Sequence, residues 1–365
     1  MYIGSKPADK VLTASDITDG VVSTAKIADN AVTADKTSYK DVPFRNIIIN
    51  GDMSIAQRAT STASITTSGY RTVDRFTIDM TTLGTWTISQ DTDVPTGQGF
   101  ATSLKLDNTT ADGSPGSNDA LQIVQKFEGQ NLQHLKKGTA SAESLTLSFW
   151  IKATKTGTNI VELYDLDNGR QISQSYTVDS TDTWEQKEIT FAGDTTGAFG
   201  NDNAASLQLD FFFGAGSNYT SGTLNTSWAS GTTANRAVGQ VNHADSTSNN
   251  IWITGIQLEI GTTASDFEFL PHDVNFRRCL RYFFSNTQDQ WQFNYSQGDS
   301  TNGRSTWFFK TRMRTTPSIS DITFGNSDYS SSGTQFENVD GLTIYTNGVS
   351  GSGVQCTGFN ANAEL

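Results

Sequence analysis

One stretch of the chain, Leu145-Thr-Leu-Ser-Phe-Trp-Ile-Lys152, alternates apolar and polar side chains over most of its length. Successive side chains of a β-strand point to opposite faces of the sheet. The period of two therefore predicts a strand with one face on a core and the other in solvent. Related patterns occur at Leu207-Gln-Leu-Asp-Phe-Phe-Phe213 and Ile251-Trp-Ile-Thr-Gly-Ile-Gln-Leu-Glu259.

Further candidate strands surround these three and are joined by Gly-, Ser-, Thr- and Asn-rich turns. No long helix is predicted among about ten such strands, and this arrangement favours an antiparallel β-sandwich of jelly-roll type. Residues 214–250 are rich in turn-forming residues and predict a long loop or flap. The other candidate strands are Phe44–Gly51, Val73–Met80, Thr85–Ile88, Ser103–Asp107, Leu121–Phe127, Ile160–Tyr164 and Trp184–Phe191.

Bulk composition favours the same class of protein. The 365 residues are 35% hydrophobic and include 32 Gly, 21 Phe and 10 Tyr, as is typical of many short strands joined by turns. A net charge of −13 disfavours a nucleic-acid partner, which requires a basic surface. No secretory signal is evident, and no apolar run approaches the ~18 residues of a membrane span. We expect assembly in a cytoplasm without membrane insertion.

A ten-residue repeat precedes the strands. Ile17-Thr-Asp-Gly-Val-Val-Ser-Thr-Ala-Lys26 is followed by Ile27-Ala-Asp-Asn-Ala-Val-Thr-Ala-Asp-Lys36. So short a segment cannot bury its apolar side chains against itself, and repeats are stabilised by neighbours. We interpret it as an oligomeric stalk, with other copies of the chain supplying the missing surface. Its candidate contact residues are Ile17, Val22, Ile27 and Val32, and those of a preceding extended anchor are Tyr2, Ile3, Gly4 and Pro7.

A helix is predicted to join a second β unit. Asp273 is a plausible N-cap, and Phe276, Cys279 and Leu280 share one helical face. The alternating segments after it predict a small C-terminal β-sandwich. Cys279 and Cys356 are interpreted as two reduced thiols, with one disulfide as the alternative. The chain divides into an anchor (1–15), a stalk (16–42), a jelly-roll domain (43–270) and a C-terminal tip (271–365).

The chain resembles bacteriophage tail-fibre proteins. The stalk repeat is similar to their N-terminal repeats, and Arg45–Arg58 looks like the first strand of their jelly-roll domains. Trp252–Gly261 with Asp266–Phe269 looks like the last strand. Three further segments resemble the C-terminal part of such fibres: Arg278–Phe283, Met313–Pro317 and Asn362–Leu365.

This resemblance implies a homotrimeric virion fibre, assembled in the host cytoplasm, that attaches the phage to host surface polysaccharide. Its N-terminus would join phage tail or portal-proximal proteins. A capsid-surface fibre or decoration protein is the alternative, and a glycan depolymerase is a further one.

The jelly roll is also similar to carbohydrate-binding modules. Such modules often hold a structural Ca²⁺ near their first and last strands, where this chain has Asp52, Glu259 and Asp266. Ca²⁺ takes six to eight oxygen ligands. We favour solvated turn acids here, with Ca²⁺ as the alternative and no other cofactor.

The sequence contains none of the catalytic motifs considered for a hydrolase. The three histidines are scattered, and neither HExxH nor Gly-x-Ser-x-Gly occurs. A glycosidase needs two carboxylates across a cleft, and the candidate acids are Glu128, Glu143, Glu162 and Asp210. With 38 acidic residues in the chain, such pairs are easily found, so we expect a binding protein and not an enzyme.

Sugar binding needs flat aromatic faces beside polar groups. Five tryptophans, Trp86, Trp150, Trp184, Trp252 and Trp307, lie in alternating strands and are interpreted as core residues. The candidate ligand residues are instead Trp228 and Tyr219 in the flap, with Trp291, Tyr295 and Arg304 in the tip.

Charge is segregated in the tip. Residues 277–317 carry a net charge of +5, while residues 318–365 carry −5. The favoured interpretation is a match between strands or subunits. A basic tip that meets anionic polysaccharide is the alternative.

Overall fold

The computed structural model describes residues 44–286, 302–325, 329–347 and 356–365. Phe44–Leu365 forms one compact unit. The strands of the larger part are β1 (Ser61–Tyr70), β2 (Thr77–Asp91), β3 (Ser103–Thr110), β4 (Ala120–Glu128), β5 (Leu145–Ala153), β6 (Gly157–Asp165), β7 (Arg170–Val178), β8 (Glu185–Phe191), β9 (Ala205–Ala215), β10 (Ala229–Ser230) and β11 (Asn250–Ile260).

These strands form a jelly-roll sandwich of two antiparallel layers. The first layer has the order β10-β7-β6-β9-β4-β2 and the second the order β2-β3-β11-β5-β8, while β1 pairs with β2 at the side. Strand β2 belongs to both layers, because Thr77–Thr81 pairs with β4 and Thr85–Asp91 pairs with β3. It changes layer at Thr82 and Gly84, whose φ angles are 41° and 72°. The jelly-roll prediction is confirmed.

The core lies between the inner faces of the two layers. Alternate residues of each strand point inward, as the period of two predicts. Phe149 of β5 meets Tyr176 of β7 and Phe211 of β9 edge to face, with ring centroids 5.0 Å apart in both pairs. Trp86 is completely buried in this core. The favourable burial of apolar area holds the layers together.

The run Phe44–Gly51 is not a strand, so that prediction is wrong. Asn50 has a φ of 64°, and the backbone bonds to β11 only at Ile47 and Gly51. Between them side chains satisfy the backbone: the Gln125 amide bonds both the N–H and the C=O of Ile49, at 2.8 and 2.9 Å. The run is apolar because it closes one end of the sandwich. Strand β1 was not predicted, since Ile65 is its only buried residue.

A flap of residues 216–249 connects β9 to β11, as predicted for this region. It contains a short helix α1 (Ser217–Thr220), strand β10 and two 3-10 turns, Thr233–Asn235 and His243–Asp245. Two further 3-10 turns, Gly129–Asn131 and Gln133–Leu135, follow β4.

Helix α2 (His272–Leu280) leads into the C-terminal sheets. Pro271 occupies the N-cap position and Asp273 lies in the first turn, so the predicted cap is wrong. Two three-stranded sheets follow, in the orders β12-β17-β14 and β13-β16-β15. Their strands are β12 (Phe283–Ser285), β13 (Asn302–Phe308), β14 (Ser318–Phe324), β15 (Ser331–Asn338), β16 (Gly341–Asn347) and β17 (Cys356–Asn362).

The two small sheets share one apolar core, as predicted for a C-terminal sandwich. Trp307 of β13 meets Phe284 of β12 and Phe359 of β17, with centroid separations of 5.7 and 5.9 Å. Cys279 and Cys356 are both buried free thiols. Within the described residues, none of the helices has the length and apolar character needed to cross a membrane.

Candidate functional site

The outer faces of the two jelly-roll layers differ. The flap covers much of the first layer's outer face, and it contains the predicted ligand residues Trp228 and Tyr219. Trp228 is half-buried and donates from Nε1 to the Ala192 carbonyl at 2.7 Å. Tyr219 packs against Phe212 of β9, with the ring centroids 6.3 Å apart. Both rings therefore hold the flap against the sheet.

An ion-pair cluster fastens the same flap. Arg236 lies 2.6 Å from a Glu162 carboxylate oxygen on β6 and 3.3 Å from one of Asp210 on β9. Glu162 and Asp210 are direct cross-strand partners and are both fully buried. Burial raises the pKa of each carboxyl, and the Arg236 guanidinium opposes that rise. Two of the acids considered for catalysis are therefore engaged by one guanidinium under the flap.

The second layer carries a row of alternating lysines and tryptophans on its outer face, here named the Trp–Lys row: Lys105, Trp252, Lys152 and Trp184. Trp252 of β11 lies opposite Lys105 of β3 and Lys152 of β5. The two ammonium groups lie 5.0 and 4.2 Å from the Trp252 ring centroid. Trp184, just before β8, has its ring centroid 5.9 Å from the Lys152 ammonium. These distances fall within the range of cation–π attraction.

Asp93 fastens one end of the row. Its carboxylate pairs with Lys152 and accepts a hydrogen bond from Trp184 Nε1 at 2.9 Å. Partial burial would raise the pKa of Asp93, but the bonds from Lys152 and Trp184 outweigh it and hold that pKa below its usual range. The carboxylate thus stays ionised and fixes the lysine and the indole together.

A third indole lies on the same outer face. Trp150 precedes Lys152 by two residues on β5, so both side chains point to the outer face. Trp150 is half-buried, as is Trp184. Trp252 is only 8% exposed, and its Nε1 is buried with no hydrogen-bond partner among the described residues. Indole faces beside ammonium groups can stack on sugar rings and attract anionic substituents.

Three of the tryptophans interpreted as core residues therefore lie on an outer face. Strand parity carries the signal that distinguishes them. Trp150 is out of phase with Phe149 and Ile151, which face the core, and Trp252 is out of phase with Ile251 and Ile253. Trp86 and Trp307, in contrast, are in the cores.

The proposed calcium ligands have protein partners. Glu259 accepts hydrogen bonds from Ser265 and lies 3.6 Å from Arg45. Asp52 accepts one from Asn275 at 3.1 Å. The backbone carbonyl of Asp266 accepts a hydrogen bond from the Arg45 guanidinium. In the ranges that the structure describes, no three His, Cys, Asp or Glu side chains are grouped as metal ligands.

The predicted tip and stalk residues are mostly beyond the described ranges. Arg304 is exposed on β13, opposite Tyr345 of β16. Outside the described residues are Trp291, Tyr295, Tyr2, Ile3, Gly4, Pro7, Ile17, Val22, Ile27 and Val32.

No protein-family model matches the chain, and no curated protein sequence is significantly similar to it. Several solved structures are similar to part of the chain. The enzymatically active domain of tailspike protein 4 of bacteriophage CBA120 matches 60% of this chain and 22% of its own chain, with 16% identity and a TM-score of 0.32.

Two carbohydrate-binding modules of Clostridium thermocellum are also similar. A family 11 module of a cellulosomal cellulase matches 60% of this chain and 96% of its own, with 11% identity and a TM-score of 0.27. The C-terminal family 22 module of Xyn10B matches 53% and 88%, with 12% identity and a TM-score of 0.27. Likeness at this level carries no argument about function, so the functional case rests on this chain's own surface.

Proposed function

We propose that the protein is a virion fibre protein of a bacteriophage and attaches the particle to glycan on the host surface through the Trp–Lys row. The observation that carries this proposal is the placement of two half-buried indoles, Trp150 and Trp184, on the outer face of the second layer, which they share with the buried Trp252. These two indoles keep part of their surface in solvent, and flat aromatic faces beside polar groups suit sugar rings. Lys105, which is half-buried and forms no salt bridge within the described ranges, adds a positive charge that favours an acidic polysaccharide.

The N-terminal repeat supports the fibre part of the proposal. Two copies of a ten-residue unit suit a short coupler between an anchor and the β-rich cargo. In a homotrimer, three weak sites act together, because later contacts become intramolecular. Modest affinity for each sugar is therefore sufficient for attachment.

An array of bacterial surface polysaccharides, probed with the full-length protein, tests the binding function. A bound polysaccharide should lose about tenfold in affinity when Trp150 and Trp184 are replaced by Ala, since each ring supplies stacking area. Phe336→Ala is the matched control, because this ring is 74% exposed on β15, away from the row. Unchanged affinity in the double variant, or no binding to any polysaccharide, would refute the proposed site.

Assembly and alternatives need separate measurements. Light scattering should give the mass of a trimer, and a monomer at micromolar concentration would contradict a fibre. Imaging virions labelled at the protein's N-terminus distinguishes a tail fibre from a capsid-surface protein. Release of new reducing ends from the bound polysaccharide would instead establish a depolymerase.

A further inference from the structure

A cavity of about 320 Å³ lies where the jelly roll meets helix α2, and we name it the junction cavity. Its walls come from residues 44–49, the end of β4, the following 3-10 turns and α2. The lining side chains used here are Phe44, Lys126, Glu128, Arg278 and Arg281. The volume is at the lower end of small-molecule sites, which are roughly 300–1,000 Å³, and it suits one or two sugar rings.

The charged side chains that line this cavity leave an excess of positive charge. Glu128 is its one lining carboxylate, and it is bound by Arg281 through two hydrogen bonds of 2.7 and 2.6 Å and by the Tyr282 hydroxyl at 2.5 Å. Those bonds occupy both carboxylate oxygens. Lys126 and Arg278 therefore gain no counter-ion from Glu128, although the whole chain carries −13.

Arg278 is only partly compensated by its neighbours. Its guanidinium donates one hydrogen bond, to the Asn46 carbonyl at 3.3 Å, and it is half-buried. The nearby Glu268 carboxylate accepts hydrogen bonds from the backbone N–H groups of Phe44 and Asn46, at 2.6 and 2.9 Å, and its charge offsets part of that of Arg278 without a salt bridge between them. Across the described ranges, neither Arg278 nor Lys126 appears in a salt bridge with a carboxylate. A half-buried guanidinium in this position favours an external anion.

An aromatic surface stands beside these cations. Phe44, which is 60% exposed, lines the cavity, and Phe127 and Tyr282 form part of its wall. A pyranose ring offers apolar C–H faces to such rings and hydroxyls to polar neighbours. A cationic pair next to an exposed ring thus matches a sugar that bears a carboxylate.

We propose that the junction cavity is a second glycan-binding site, which takes a uronic acid residue with its carboxylate paired to Arg278 and Lys126. The site is separate from the Trp–Lys row, and only the choice of a host glycan as ligand rests on the proposed function. Arg278 forms a planar fork that matches a carboxylate, while Lys126 adds a second positive charge.

Calorimetric titration of the full-length protein with methyl β-D-glucuronide and methyl β-D-glucoside tests the site. The glucuronide should bind at least about tenfold more tightly, because only it offers a charge-assisted bond. Arg278→Gln and, separately, Lys126→Gln should abolish this preference. Arg312→Gln, an arginine whose side chain is 72% exposed in the tip, should retain it. Equal binding of both sugars by the native protein would overturn the proposal.

Folding and the two glycan sites can be distinguished. Lys126→Gln alters a half-buried side chain without a salt bridge in the described ranges, so it reports on the cavity even where Arg278→Gln is unstable. The Trp150→Ala, Trp184→Ala variant should keep the glucuronide preference. If the native protein prefers the glucuronide but binds no polysaccharide, host attachment is refuted and the junction cavity is supported as a glycan-binding site. If the protein binds polysaccharide but Lys126→Gln leaves the preference for glucuronide over glucoside unchanged, the junction cavity is not a glycan-binding site. The proposed host attachment through the Trp–Lys row would then still hold.

Discussion

Arg75 and Glu364 form an ion pair that ties the C-terminal residues into the jelly roll. Their side chains are 1% and 3% exposed. The Arg75 guanidinium also lies 3.5 Å from the ring centroid of Tyr282 and donates to the Lys126 carbonyl at 2.7 Å. Both parts of the described unit thus meet around one buried guanidinium.

Replacing Glu364 with Gln should destabilise this unit. The substitution leaves Arg75 buried without its counter-charge, a change that costs about 3–5 kcal/mol in comparable sites. Urea unfolding followed by tryptophan fluorescence measures the free energy of unfolding. Glu337→Gln, on the exposed face of β15, should change it by less than about 0.5 kcal/mol. Equal effects of the two substitutions would contradict a structural role for the Arg75–Glu364 pair.

Arg236→Gln should release the flap. Two buried carboxylates, Glu162 and Asp210, would lose their guanidinium, at a cost of about 3–5 kcal/mol. Limited proteolysis should then cut within residues 216–249 earlier than in the native protein. The control is Lys155→Gln, which removes a more exposed ion pair to Asp245 in the same flap and should cost at most about 1 kcal/mol. An unchanged cleavage pattern in Arg236→Gln would show that other contacts hold the flap.

Asp74→Asn should change how stability depends on pH. Burial raises the pKa of Asp74 to about 7, although hydrogen bonds from Gln57 and the charge of Arg58 oppose the rise. The folded state therefore keeps a proton that the unfolded state loses near pH 4. The stabilisation from Asp74 is complete below about pH 4 and is lost as pH rises through about 7.

The Asn variant cannot titrate, so its free energy of unfolding should rise relative to the native protein between pH 4 and 8. The expected relative change is on the order of 2–4 kcal/mol, measured by urea unfolding at several pH values. Asp273→Asn, at an exposed position of α2, should leave the pH profile parallel to that of the native protein. A constant difference between Asp74→Asn and the native protein would mean that Asp74 titrates normally.

Gly51→Ala should disturb the end of the sandwich. A Cβ at Gly51 would lie 2.1 Å from the Ile256 carbonyl oxygen, and the Gly51 carbonyl accepts a hydrogen bond from Ile256 N–H at 2.9 Å. The backbone must move apart, which should lower the free energy of unfolding by about 1–3 kcal/mol. At Gly113 an added Cβ meets nothing within 4 Å, so Gly113→Ala should be nearly neutral. A neutral Gly51→Ala variant would mean that the two segments separate easily.

Local patterns account for the strands that were predicted correctly and for those that were not. Leu145–Lys152 alternates because a core lies on one side of β5, and that period is visible in consecutive residues. Phe44–Gly51 is also rich in apolar residues, but it is irregular, since amide side chains such as that of Gln125 satisfy much of its backbone. Strand β1 was not predicted, because an edge strand with one buried residue shows almost no alternation of apolar and polar side chains.

The sequence by itself determined the mainly β class, the jelly roll and the small C-terminal sandwich, because a period of two is a property of neighbouring residues. It also contained the parity that separates Trp150 from Phe149. Only the tertiary structure decided that Lys105, Lys152, Trp184 and Trp252 form one row, and that Arg236 joins Glu162 to Asp210. Those relationships depend on the register between strands far apart in the chain, which no local period specifies.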